Sequence, residues 1–574
     1  MKMFEKKLNG RYLKIPYYHE VVPEGCSLVE QPDGWVSEVL DGELERMCCY
    51  RPILIAAPTG GGKTTFTQDV VRHCWKVTPT KKVLLLVSRK AIALQQKREL
   101  VKALGSRWRN VYDAAALDYT ETFDDIALTI MTYQAFAARY KSMDLAAYGW
   151  VLYDEIHMFY SDALFNARLD ALFWKFPKLF SHACRIYLSA TPERIASLLC
   201  EAEKENMEQC YRCGNQWQCG AERAGKLVVH WFPKHYDRVR LRYFRDREEI
   251  VDLIKRSGDE KFMIFTSKCE GENTNEAGAY VRLLRDAGIS YEYLDSGQKG
   301  SEVWEQVCAK GKFEAQVLVC TSVLDCGVNI KDAKMRHIVV ETTDKVEFLQ
   351  MVGRKRLQKG EQVFVYVRGL GRGEVWRDLR CVQDDLRTLD EGESFIGAGE
   401  SDRVLYRGWM DEDADNPQRR LFNYVGGGRV TCKQTARNYL RWREAGLKQL
   451  LRYAEQYGDK VALPLMAHGW LLDLDGYDPK NWLDYEDKMK LREELNALLE
   501  EHLGQEFEGA KPLPLCLNIS EKLDAFSERH HANTREILGV VALNRQFELL
   551  GIPFEFVKLA QKSGKQRYVL KERG

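Results

Sequence analysis

No apolar run in this 574-residue chain approaches the ~18 residues needed to cross a bilayer, so a membrane-embedded role is not expected. Neither sign of charge is in excess. The 85 basic and 84 acidic residues leave a formal net charge of +1, which excludes a surface coated in positive charge. Any grip on nucleic acid must therefore come from a local groove, backbone amides and helix ends. Internal repeats and low-complexity tracts are absent as well. The opening Met-Lys-Met-Phe-Glu-Lys-Lys has no apolar core behind it, so a secretory signal is not expected and a cytoplasmic location is. What remains is an ordinary globular profile, 45% hydrophobic and 29% charged, long enough for about three or four domains.

Cysteine is not scarce. The 16 cysteines are scattered, several inside apolar runs (Cys320, Cys326), as reduced thiols serving as small core residues would be. One cluster differs: Cys200, Cys210, Cys213 and Cys219. The Cys210-x-x-Cys213 pair has metal-ligand spacing, and four thiolates could close a tetrahedral zinc site; the alternative is a plain Cys-bearing loop.

The most informative stretch is Ala57-Pro58-Thr59-Gly60-Gly61-Gly62-Lys63-Thr64-Thr65, directly after the apolar run Ile53–Ala56. Strand, glycine-rich loop, Lys-Thr and helix in that order hold a nucleoside triphosphate. The glycines let backbone N–H groups turn toward phosphate oxygens, and the positive end of the following helix points the same way. Thr59, Gly60, Gly61, Gly62, Lys63, Thr64 and Thr65 are the candidate ATP contacts, with the Thr64 hydroxyl placed to ligate Mg²⁺. Further on, Trp150-Val151-Leu152-Tyr153 runs into Asp154-Glu155-Ile156-His157. Two carboxylates at the end of a buried strand repel unless a cation sits beside them. Asp154 is the second candidate Mg²⁺ ligand, and Glu155 the candidate general base for an attacking water.

Together these two motifs resemble motifs I and II of the superfamily 2 DExH-box helicases, and residues similar to the other family motifs follow in order. Val87-Ser88-Arg89-Lys90, Met131-Thr132-Tyr133-Gln134, Leu188-Ser189-Ala190-Thr191-Pro192, Phe262–Ser267, Val317–Asn329 and Gln350-Met351-Val352-Gly353-Arg354-Lys355-Arg356 carry the likeness over roughly residues 50–370. The resemblance implies two tandem RecA-like parallel-sheet domains. It implies hydrolysis of Mg·ATP by Lys63, Glu155, Gln350 and Arg354, with Arg356 kept as a second candidate for the arginine. It further implies nucleic-acid backbone contacts from Arg89, Thr132, Thr266 and Thr321, and coupling between the two sites through His157, Ser189 and Thr191. The family pattern at the last motif is Gln-x-x-Gly-Arg-x-x-Arg. Here Leu357 holds the final position and an arginine falls one place early, at Arg356. Residues two apart do not share a helix face, so either Arg354 alone crosses the cleft or the helix is distorted. For adenine, Gln31 is the nearby candidate.

The expected organisation is a first RecA-like domain over 1–235 with a Cys-bearing insertion at about 200–225, a second over 236–372, and a connector over 373–430. A helical domain over 431–515 and a terminal module over 516–574 follow. Helices followed by a basic hairpin resemble a winged helix, the alternative being a helix-and-hairpin cap. Arg437, Tyr439, Arg441, Trp442 and Arg443 interleave bases with aromatics, suiting either a single-strand channel or a helix packed by its aromatics. The expected function is an ATP-driven helicase or translocase on single-stranded or tailed duplex DNA, with RNA the other substrate. The alternative is an ATP-gated nucleic-acid sensor that does not unwind.

Overall fold

The computed structural model describes residues 2–8, 11–17, 26–47, 51–77, 80–104, 117, 120–124, 127–164, 169–210, 227–266, 276–295, 301–321, 329–357, 360–397, 417–425, 429–471, 477–508, 513–529, 538–562 and 565–573. An N-terminal antiparallel hairpin, β1 (Lys2–Leu8) and β2 (Arg11–Tyr17), precedes two α/β lobes.

The first lobe is built on β3 (Cys26–Glu30), β4 (Ile53–Ala56), β5 (Lys82–Val87), β6 (Thr122–Phe123), β7 (Leu128–Thr132), β8 (Tyr148–Tyr153), β9 (Cys184–Ser189) and β10 (Leu227–Trp231). Their order in the sheet is β3-β10-β4-β9-β8-β5-β7-β6. All neighbours are parallel except the short β6 against β7. Every residue of β4, β7 and β9 is buried, as strands covered on both faces require. The second lobe places β11 (Val239–Phe244), β12 (Lys261–Phe265), β13 (Tyr291–Leu294), β14 (Val317–Cys320), β15 (Met335–Val340) and β16 (Val363–Arg368) in the order β11-β16-β15-β12-β14-β13, all parallel. Helices on both faces of two parallel sheets form the expected pair of RecA-like domains.

The connector expected at 373–430 begins as a 26-residue helix, Arg372–Gly397. Its buried Val375, Leu379, Val382 and Leu389 continue the second lobe's core, and that apolar stripe outweighs the local Gly and Asp content. The helices Gln434–Tyr457 and Asp459–Trp470 share the same core. Beyond them lies a separate core. Helix Tyr485–Glu500, β17 (Glu506–Glu508), helices Leu513–Arg529 and Val540–Leu550, β18 (Phe554–Lys562) and β19 (Lys565–Glu572) follow in sequence, with sheet order β17-β19-β18. That is the connectivity of a winged helix. Leu491, Leu495 and Leu499 pack with Leu515, Leu543 and Phe547, so this unit begins at Tyr485 rather than at 516.

Candidate functional site

The loop after β4 turns at Gly60 and Gly62, whose φ angles of +88° and +87° suit glycine. The space around them is also closed. A Cβ on Gly60 would lie 2.9 Å from Arg356 Nη1, and one on Gly62 would lie 3.0 Å from Trp35 Cε3. Lys63 opens helix Lys63–Val77, and its Nζ donates to the carbonyls of Ala57 (2.9 Å) and Pro58 (3.2 Å). Burial lowers the Lys63 pKa, while the charges of Glu155 and Asp154 oppose that shift. Thr64 is half-buried and Thr65 exposed.

Asp154 follows β8 at the C-terminal edge of the sheet. Its backbone N–H donates to Leu86 O at 2.8 Å, and the Tyr133 hydroxyl donates to Asp154 O at 3.0 Å. Gln96, on helix Lys90–Leu104, reaches Thr64 Oγ1 (3.4 Å) and Asp154 Oδ2 (3.3 Å) with one nitrogen. Burial and the neighbouring Glu155 charge push the Asp154 carboxyl up to about 7. Glu155 has φ +49°, a left-handed conformation that costs a non-glycine residue about 1–2 kcal/mol. Burial pushes its carboxyl up, yet His157, Lys63, Arg354 and Arg356 outweigh that and hold it below the usual range. Two adjacent carboxylates are thus driven apart in acidity by their surroundings.

His157 Nδ1 lies 3.2 Å from Glu155 Oε2 and 3.0 Å from Ser189 Oγ. Ser189 Oγ also accepts from the Thr191 backbone N–H at 3.1 Å. From the second lobe, Gln350 Nε2 donates to Thr191 Oγ1 at 3.5 Å. The three residues expected to couple the sites therefore form one chain from the Glu155 carboxylate to the facing lobe.

Both arginines lie beyond the helix, which is the local departure the sequence left open beside Arg354 acting alone. Helix Lys345–Val352 ends before them, and Lys355 forms a bridge with Ile330. Helical spacing does not apply beyond Val352, so an arginine one place early still enters the cleft. Arg354 Nε donates to Gln350 O (2.9 Å) and Arg356 Nε to Asn329 Oδ1 (2.7 Å), which leaves the Arg356 guanidinium against the Gly60 turn. Burial, then the charge of Arg354, lowers Arg356 to about 10.

The expected nucleic-acid contacts are placed differently from the ATP residues. Arg89 pairs with Asp162. Thr132 is buried, and its hydroxyl accepts from Ala135 N–H at 3.1 Å, capping helix Tyr133–Arg139. Thr266 and Thr321 are buried at the ends of β12 and β14. Arg437, Tyr439, Trp442 and Arg443 do not line a channel. Arg437 pairs with Asp390 and Glu393, Tyr439 and Trp442 pack on Tyr160, and Arg443 is enclosed beside Tyr439, Asp344 and Glu347. Gln31 Nε2 lies 2.8 Å from His230 Nδ1. Of the candidate zinc ligands, Cys213 and Cys219 and the Cys210 side chain fall outside the described residues. The Cys200 thiol hydrogen-bonds with Cys26, which lowers Cys200 to about 7. Trp35, Gln96 and Tyr160 carry no local sequence signal, because only the packing of distant segments brings them to the cleft.

This geometry defines a two-lobed P-loop nucleoside triphosphatase. Two family models match: type III restriction enzyme, res subunit, over residues 45–194, and the helicase conserved C-terminal domain over residues 246–356. The two matched domains are those of a superfamily 2 helicase, an ATP-hydrolysing type of enzyme. No curated protein matches it. Among solved structures it is similar to S. cerevisiae Dbp5 bound to RNA and ADP BeF3, at 13% identity and a TM-score of 0.37 over 55% of this chain and 79% of that one. It is also similar to Mss116p bound to ssRNA and AMP-PNP, at 12% identity and a TM-score of 0.41 over 77% of this chain and 99% of that one.

Proposed function

We propose that ATP hydrolysis in the cleft drives movement of this protein along nucleic acid, with DNA the first candidate substrate. The observation that carries the reading is the meeting of the two lobes on Glu155, with Lys63 and His157 from one and Arg354 and Arg356 from the other. In this reading Lys63 and the Gly60–Gly62 turn hold the triphosphate, and Glu155 orients and deprotonates the attacking water. Arg354 and Arg356 stabilise charge developing on the γ-phosphate, and Gln350 aligns the water.

The residues also fit Mg²⁺. Thr64 Oγ1 and Asp154 Oδ2 share one hydrogen-bond donor, and the buried acceptor Gln350 Oε1 has no hydrogen-bond partner among the described residues. Thr64 and Asp154 would hold the ion, directly or through water, and it would offset charge on the β- and γ-phosphate oxygens. The winged connectivity of residues 485–572 supports DNA by analogy.

One observation favours the gated sensor as the second reading: a buried inter-lobe bond from Tyr160 to Asp344 that must break before the lobes part. The Glu155→Gln variant tests the ATP site. It is expected to bind ATP and lose turnover, and normal turnover would remove Glu155 from its role. Stimulation of ATPase by single-stranded DNA or RNA at several salt levels identifies the polymer. Strand displacement from tailed duplexes then supports the motor, whereas stimulation without displacement on either overhang supports the gate.

A further inference from the structure

Gln96 lies in the interior of helix Lys90–Leu104, whose start carries Arg89 and Lys90. Its neighbour Gln95 behaves as a surface residue, donating to Glu99 Oε1 at 2.8 Å one turn along. Gln96 faces inward and is 8% exposed. A primary carboxamide has two N–H groups about 120° apart, and here both find oxygen acceptors: Thr64 Oγ1 at 3.4 Å and Asp154 Oδ2 at 3.3 Å. The other Asp154 oxygen, Oδ1, accepts from the Glu155 backbone N–H at 3.0 Å. The Asp154 carboxylate is therefore fixed at both oxygens, and the Thr64 hydroxyl is tied to it through one side chain from a third element.

We propose that Gln96 is a positioning residue for the Mg²⁺ of the nucleotide site, setting the separation and orientation of the Thr64 hydroxyl and the Asp154 carboxylate before the ion arrives. The inference rests on the nucleotide-site reading above. Two electron-rich oxygens brought together without a cation repel, and a shared N–H donor relieves that repulsion while leaving lone pairs on each oxygen for a metal. Groups of this kind orient ligands without touching the metal, and their loss typically weakens metal affinity by about 10–100-fold.

The test is binding, not turnover. A fluorescent non-hydrolysable ATP analogue is titrated into the full chain in EDTA and then across a Mg²⁺ series, for the native protein, Gln96→Ala and Gln96→Met. Methionine keeps the length and the buried packing but removes both donors. The expected result is unchanged analogue affinity in EDTA for both variants, with the Mg²⁺ concentration for half-maximal tightening raised about 10–100-fold in each. If Gln96→Met matches the native Mg²⁺ dependence, the side chain serves packing alone and the proposal is overturned. It is equally overturned if affinity in EDTA falls as far as affinity in Mg²⁺, because Gln96 then acts on the fold. A native chain that binds no analogue in either buffer sinks the underlying nucleotide-site reading instead, and is recognised by failing before any variant is compared.

Discussion

Tyr160 of the first lobe donates a buried 2.7 Å hydrogen bond to Asp344 Oδ2 of the second. Tyr160 sits one turn beyond His157, in the short helix Met158–Ser161. Asp344 caps helix Lys345–Val352 by accepting from the Val346 and Glu347 N–H groups at 2.8 and 3.0 Å. That helix carries Gln350. One phenol and one carboxylate thus fasten the acidic motif to the element that delivers the second lobe's groups, and Tyr439 and Trp442 of the helix Gln434–Tyr457 close over the bond.

Tyr160→Phe removes the donor and leaves a buried carboxylate oxygen short of one partner, a loss of about 1.5–3 kcal/mol for a bond to a charged group. The lobes of the nucleotide-free variant are expected to separate more readily. A donor–acceptor dye pair, one on each lobe, should report a broader and longer distance distribution than in the native chain. An unchanged distribution would show that other contacts hold the lobes.

The charges of Arg354 and Arg356 both act on the Glu155 carboxylate, so neither is expected to be dispensable. Arg354→Ala and Arg356→Ala should each lower kcat by about 10³-fold or more, in the range of cationic groups that meet developing phosphoryl charge. Arg356→Lys should not restore activity, because a single ammonium cannot both donate to Asn329 and lie against the Gly60 turn. Steady-state ATPase measurements decide this, and full activity in Arg356→Ala would leave Arg354 as the sole contributor.

Asp170 caps a helix belonging to another part of the chain. Its Oδ1 accepts from Thr435 N–H at 2.7 Å, at the start of helix Gln434–Tyr457, and its Oδ2 accepts from Asn423 Nδ2 at 2.9 Å. Asp170→Ala strips a cap and orphans two buried donors. It should lower stability to chemical denaturation by about 2 kcal/mol or more, with Asp170→Asn intermediate because it keeps acceptor capacity at one oxygen. A variant as stable as the native chain would mean that the helix docks without this carboxylate.

Lys433 gives a pH dependence. Burial lowers its amine from 10.5 to about 8, with the nearby Asp170 charge opposing the shift. Between those two values the unfolded chain holds the proton and the folded chain does not, so this group makes stability rise with pH across that window and stay flat below it. The difference in Tm between the native chain and Lys433→Met should therefore change between about pH 8 and pH 10. A constant difference would mean that Lys433 is no more buried than an ordinary surface lysine.

Much of the architecture was legible because parallel strands covered on both faces are written as short unbroken apolar runs. Ile53–Ala56, Leu128–Thr132 and Val317–Cys320 are examples. Gly288, with φ +68°, closes the turn after helix Glu276–Asp286. Composition misled at 373–430, where scattered Gly, Asp and Arg hid the buried stripe of Val375, Leu379 and Val382 on one helix. Tyr485–Glu500 reads as another helix in a helical stretch, so nothing local marks it as the start of the terminal unit. Only its packing against Leu515 and Leu543 assigns it to the next core.

The glycine turn, the lysine after it and the paired acids at a strand end are local consequences of neighbouring residues, so the order of amino acids alone determined this candidate phosphate cradle at the strand ends. Which arginines meet Glu155, that Gln96 joins Thr64 to Asp154, and that Tyr160 reaches Asp344 depend on how segments far apart in the chain pack. A shift of a few ångströms in that packing makes or breaks a hydrogen bond, and only the tertiary structure decides it.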